Sequence, residues 1–96
     1  MLDLQAEHKA ILRAIVRHRF PQHQVRVFGS RASGHAKPWS DVDLALLGEA
    51  TIGDLAMAHA REDFDESSLP FNVDLVRLSD LPPPIQQTVL RDGQPL

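Results

Sequence analysis

The hydrophobic period changes repeatedly along this chain, and the order of the changes leaves room for one kind of architecture. Residues 3–19 put Leu4, Ile11, Leu12, Ile15 and Val16 on one stripe at spacings of three, four and seven, as a half-buried helix requires. Asp3 is the expected N-cap and Pro21 the expected stop. Gln24-Val25-Arg26-Val27-Phe28 is then a short β-rich run that ends abruptly at Gly29-Ser30. Residues 31–40 are small, polar or Pro-containing and predict a loop with at most one helical turn. Residues 41–47 form a second strand closed by Gly48. A second helix follows over 51–64, with Thr51 as its cap and Ile52, Leu55, Ala56 and His59 on its buried side. A third strand is expected over 71–78, after Pro70. Pro82, Pro83 and Pro84 then open a last helix, where spare N–H groups tolerate proline, with Ile85, Val89 and Leu90 as its apolar side and Gly93 as its stop. The order α-β-loop-β-α-β-α predicts an α/β (α+β) fold: a small mixed three-stranded sheet flanked by helices, in one domain over residues 1–96.

Composition narrows the function classes. Leu, Ile, Val and Phe supply 28 of the 96 residues, enough for a core. A core of this size leaves only a few kcal/mol of net stability, so a ligand or partner subunit would help. Thirteen acidic against ten basic residues give a net charge of −3, which argues against a chain held directly on nucleic acid by a basic surface. There is no cysteine, which removes disulfides, zinc–thiolate sites and thiol nucleophiles together. No apolar stretch is long enough to span a membrane, and Met1-Leu2-Asp3-Leu4-Gln5 lacks the basic flank and apolar block of a signal peptide. The expected location is the cytoplasm.

The segment that carries chemistry is Gly29-Ser30, ten intervening residues, and then Asp41-Val42-Asp43. Side chains alternate along a strand, so Asp41 and Asp43 point the same way about two residues apart. Two carboxylates that close repel each other unless a cation lies between them. A hard divalent ion answers that need, and Mg²⁺ prefers one or two carboxylates plus substrate phosphates. The glycine permits close backbone approach, and the Ser30 hydroxyl with the following N–H groups can hold phosphate oxygens. Asp74 on the third strand reaches the same ions if strand three lies beside strand two, and could accept the proton of an attacking hydroxyl. Three carboxylates, two metals and a triphosphate are the parts of a two-metal, in-line phosphoryl or nucleotidyl transfer.

Gly29-Ser30-Arg31-Ala32-Ser33-Gly34 followed by Lys37-Pro38-Trp39-Ser40-Asp41-Val42-Asp43-Leu44 resembles the signature of minimal nucleotidyltransferases in the DNA polymerase beta superfamily. Leu69-Pro70-Phe71-Asn72-Val73-Asp74-Leu75-Val76 and Leu90-Arg91-Asp92-Gly93 continue the resemblance, which covers nearly all of the chain from Val25 onward. It implies that Asp41 and Asp43 bind two Mg²⁺ ions and that Asp74 binds the catalytic one and acts as base. It also implies that Gly29 and Ser30 hold the β- and γ-phosphates of ATP, with Arg31 nearby and Ser40 part of the nucleotide site. Members of this family are often encoded next to a helical HEPN-type partner and act as antitoxins, transferring AMP from ATP to a tyrosine of that partner within a hetero-oligomer. Ser33 stands where the family often has a second arginine.

Competing readings of the same residues fit less well. A haloacid-dehalogenase loop would place Thr or Val where Ala45 stands, and an EF-hand would need an acidic or amide residue there. Gly29-Ser30 lacks the flanking glycines of a nucleophile elbow. Trp39 reads as a packing lid over its loop. His8, His18, His23, His35 and His59 show no ligand spacing and read as structural or surface groups, and Glu62, Asp63, Asp65 and Glu66 as a solvated face. The rival function is a catalytically silent binding module with the same fold that neutralises its partner by occlusion. Transfer to a small molecule would call for a second, substrate-binding domain.

Overall fold

The computed structural model describes residues 2–34, 36–37, 40–48 and 51–96. Trp39 and His35 lie outside the described residues. The elements are α1 (Ala6–Arg19), β1 (Gln24–Phe28), α2 (Ser30–Ser33), β2 (Val42–Leu47), α3 (Asp54–Asp65), β3 (Val73–Arg77), a 3₁₀ turn (Leu78–Asp80), α4 (Pro83–Asp92) and β4 (Gln94–Pro95). The strands form one sheet in the order β3-β2-β1-β4. β1 runs antiparallel to β2 and β4, while β2 and β3 are parallel. A parallel pair needs a crossover, and α3 supplies it.

The mixed sheet and its flanking helices agree with the fold class expected, but the sheet has four strands, not three. The fourth is the two-residue β4, too short to show a period and carrying a proline that cannot donate to a ladder. It is held from outside, since the Arg13 guanidinium donates twice to the Leu96 carbonyl, at 3.0 and 3.2 Å.

One face of the sheet is apolar and covered. Val27, Val42, Leu44, Leu46 and Leu75 pack there with Leu12 and Val16 of α1, Phe20 just after it, and Met57, Ala60 and Phe64 of α3. Of the side expected to be buried on the second helix, Ile52 and Ala56 do meet the core, but Leu55 and His59 do not. Leu55 is 70% exposed and His59 is also exposed, while Met57, Ala60 and Phe64 are buried. Two of the expected caps also move. Gln5 and Gly53 occupy the N-cap positions of α1 and α3, and Asp3 and Thr51 do not. In α4, Val89 is fully buried but Ile85 and Leu90 stay largely exposed. Arg61 of α3 donates to the Leu75 carbonyl at 2.9 Å, which blunts the β3 edge against pairing with another chain. Among the described residues no helix is long and apolar enough to cross a membrane.

Candidate active site

The second face of the sheet carries the chemistry. Buried Val42 and Leu44 anchor β2 to the core, and strand alternation therefore turns Asp43 to the opposite side, with Asp41 on that side just before the strand. Parallel pairing sets Asp43 directly beside Asp74, and antiparallel pairing sets it opposite Phe28. The Asn72 carbonyl accepts the Val42 N–H at 3.0 Å, so the two parallel strands are locked together at the end where all three aspartates sit. Asp43 is half-buried; Asp41 and Asp74 are exposed.

Gly29 joins β1 to α2 with φ 74° and ψ −150°, a conformation open almost only to glycine. A Cβ at that position would lie 2.5 Å from Asp43 Oδ2. The backbone of the Gly-Ser turn thus passes directly against the Asp43 carboxylate, an approach that any side chain would block. The single helical turn expected in this loop is α2, which begins at Ser30; the N–H groups of Ala32 and Ser33 both donate to the Gly29 carbonyl at 3.1 Å. A cleft of about 400 Å³ opens beside the turn, lined by Phe28, Gly29, Ala32 and Ser33 and, from α4 and its end, by Thr88, Asp92 and Gly93.

Like charges gather on this face. Burial, then the charges of Asp74 and Asp41, raise the pKa of Asp43 above the ordinary aspartate range. The ion pairs among the described residues join Arg19 to Asp63, Arg77 to Asp54 and Asp80, and Arg91 to Asp92, and none includes Asp41, Asp43 or Asp74. Oxygen-only donors of like charge, with one of them half-buried, fit a hard divalent cation. Among the described residues no three His, Cys, Asp or Glu side chains close around a single point. The carboxylates are an open array that substrate phosphates would have to complete, as Mg²⁺ sites commonly are.

Two residues implied by resemblance as nucleotide contacts, Arg31 and Ser40, have side chains bonded within the protein. Arg31 is 6% exposed, and its guanidinium donates from Nη1 to the Asp3 carbonyl at 3.2 Å and from Nη2 to the Ser40 carbonyl at 2.9 Å. It also lies 4.9 Å from the centre of the Phe71 ring. Two of its nitrogens are thus turned to backbone carbonyls and its face to a ring. The Ser40 hydroxyl accepts the Lys37 N–H at 2.9 Å, and the Ser40 N–H donates to the Lys37 carbonyl, so Ser40 shapes the turn that delivers Asp41. His23 contacts the Leu47 carbonyl at 3.0 Å and His8 packs edge-on against Phe71, both structural roles as expected. Asp63 of the acidic run is paired with Arg19 rather than only solvated. Phe71 and the Asp3 backbone are site-supporting groups that residue type did not reveal.

Residues 10–96 match the family "Polymerase beta, Nucleotidyltransferase". The chain belongs to this family. It is 43% identical over 75 residues to the probable protein adenylyltransferase MntA of Haemophilus influenzae, a stretch that covers 78% of this chain and 66% of that relative. It is 40% identical over 77 residues to the protein adenylyltransferase MntA of Thermococcus cleftensis, covering 80% and 77% of the two chains. A crystal structure of a toxin–antitoxin with AMP-PNP contains a chain that superimposes with a TM-score of 0.73 at 28% identity, covering 95% of this chain and 72% of that one. This nucleotidyltransferase-family chain thus spans about two thirds of the length of the first relative. Its Gly29-Ser30 turn and its paired Asp43 and Asp74 strands share one face of the family's sheet.

Proposed function

We propose that this chain is a Mg²⁺-dependent nucleotidyltransferase that moves AMP from ATP to a partner protein, and that residues 1–96 act in this as one domain. The observation that carries the reading is the in-register pair Asp43 and Asp74, with Asp43 pressed against the Gly29 turn and no cationic side chain paired to either among the described residues. A binding scaffold gains nothing from three neighbouring carboxylates that raise one another's cost, whereas a metal site requires them. The names of the relatives as protein adenylyltransferases and the AMP-PNP in the toxin–antitoxin structure support ATP as donor and a protein as acceptor. The partner in this reading is a HEPN-type toxin encoded next door, held in a hetero-oligomer, and the chain is its antitoxin.

In this mechanism Asp41 and Asp43 hold the divalent ions and Asp74 completes the set. When bound, the ions supply charge neutralisation at the α-phosphate and the leaving pyrophosphate. Gly29 and Ser30 seat the β- and γ-phosphates close to the carboxylates, and the cleft beside them receives the rest of the nucleotide. Asp74, exposed on the outer strand of the parallel pair, takes the proton of the acceptor hydroxyl. Catalysis is positional and electrostatic. The test is label transfer to the co-purified partner from ATP carrying ³²P at the α- or the γ-position. Label from the α-position alone, lost in Asp43→Asn, is expected. Neutralisation of the partner without label, and equally by Asp43→Asn, would establish the occluding module instead.

A further inference from the structure

Arg31 is the single buried charged or polar residue among those described, and its contacts join the parts of the site. It sits in α2, one residue after Ser30 of the phosphate turn. Its Nη2 holds the carbonyl of Ser40, the residue immediately before Asp41. Its guanidinium lies over Phe71, three residues before Asp74 and next to Asn72, whose carbonyl receives the Val42 N–H. Its Nη1 and its own carbonyl bond to the backbone of Asp3, whose N–H donates at 2.8 Å, and His8 of α1 packs edge-on against the same Phe71 ring. A buried guanidinium is costly unless its hydrogen bonds are met, and planar donors in a fixed fork set direction as well as distance. The Asp3 and Ser40 acceptors are both backbone carbonyls, so these bonds fix the course of two chain segments relative to α2.

We infer that Arg31 is a positioning residue, which sets the spacing between the Gly29-Ser30 turn and the strand ends bearing Asp41, Asp43 and Asp74. This rests on the nucleotidyltransferase reading above. Lysine keeps the charge but loses the fork and the planar stacking, so Arg31→Lys is expected to leave a folded chain whose carboxylates are out of step with the turn. Loss of an outer support of this kind weakens metal affinity by about 10- to 100-fold.

The test is Mn²⁺ binding followed by electron paramagnetic resonance, with and without AMP-PNP, on the whole chain, together with AMP-PNP binding in EDTA. Thermal melting reports folding separately. For Arg31→Lys the expected result is a cooperative melt, metal-free AMP-PNP binding equal to the parent, and Mn²⁺ affinity in the presence of AMP-PNP lowered by about 10-fold or more. Equal loss with and without metal would instead make Arg31 a phosphate contact and overturn the proposal. Parent-like Mn²⁺ affinity in a folded Arg31→Lys would overturn it as well. If Arg31→Lys does not fold, Arg31→Gln decides, since it carries no charge to bury and its shorter side chain cannot span the Asp3 and Ser40 carbonyls. Weakened Mn²⁺ affinity there supports the proposal, and parent-like affinity overturns it. Failure of the underlying reading looks different: the unmutated chain would then not bind Mn²⁺ with AMP-PNP, or Asp43→Asn would bind it as well as the parent does.

Discussion

Replacing Gly29 by alanine attacks the site at its tightest point. At φ 74° and ψ −150° a non-glycine residue costs about 1–3 kcal/mol of strain. The new Cβ would stand 2.5 Å from Asp43 Oδ2 and 3.5 Å from its Cγ, so the carboxylate must leave its place, at about 0.5–1.5 kcal/mol for an off-rotamer side chain. The smaller conformational freedom of alanine in the unfolded chain offsets about 0.4–1 kcal/mol. A net loss of a few kcal/mol remains, and in a chain of this length each kcal/mol moves the melting temperature by about 4–8 °C. Gly34 is the matched control. It also has positive φ, 79°, but lies in the ordinary left-handed region, and among the described residues other than its chain neighbours nothing comes within 4 Å of an added Cβ. Gly34→Ala is expected to lose about 1 kcal/mol and to disturb no carboxylate. The assay is differential scanning fluorimetry in EDTA and again with Mg²⁺ and ATP. Gly29→Ala should melt on the order of 10 °C lower and lose the ligand-induced rise; Gly34→Ala should melt only slightly lower and keep it. A Gly29→Ala protein that retains the full Mg²⁺-ATP rise would refute the close packing of turn and carboxylate.

Three further outcomes follow from the packing and the charges. Leu12 is fully buried between α1 and the sheet, and Leu12→Ala should cost about 2–5 kcal/mol, read as a shifted urea midpoint with an unchanged slope. Burial first, and then Asp74 and Asp41, raise the Asp43 pKa. The folded chain therefore keeps a proton that the unfolded chain has already released, and stability from this group falls as pH rises from the ordinary aspartate value through the raised one. Metal-free Asp43→Asn should be more stable than the parent above that window, and the gap should close below it; a gap that widens toward acid would contradict the crowding of like charge at the site. Asp63 shifts the other way, lowered chiefly by its hydrogen bond from Arg19. Its contribution is present above the ordinary aspartate value and is lost as pH falls through the lowered one. Asp63→Asn should flatten the acid limb of a stability–pH curve, and an unchanged limb would show the pair to be without effect.

The site was more legible in the sequence than the surfaces around it. Strand alternation and the Gly29-Ser30 spacing are local, so residue order alone places Asp41, Asp43 and the turn. That Asp74 faces Asp43 depended on one further step, the adjacency of strands two and three, and the parallel register sets the two residues side by side. What period could not supply was which side of α3 faces inward. Leu55 and His59 compete with Met57 and Ala60 for the same stripe, and the crossover geometry decides for Met57. β4 escaped because it is two residues long and gains its place from Arg13 and Arg26 contacts far away in the chain. Arg31 escaped for the opposite reason. Residue type and position both suggest a phosphate ligand, and only the folded positions of Asp3 and Ser40 show that Nη1 and Nη2 are directed to backbone carbonyls.

The most direct measurement is the intact mass of the neighbouring gene's product, co-expressed with this chain and, separately, with Asp43→Ala. A product heavier by whole AMP units only beside the unmutated chain is the expected result. A tight complex with both versions and no added mass in either would contradict nucleotidyl transfer and leave the fold as a clamp.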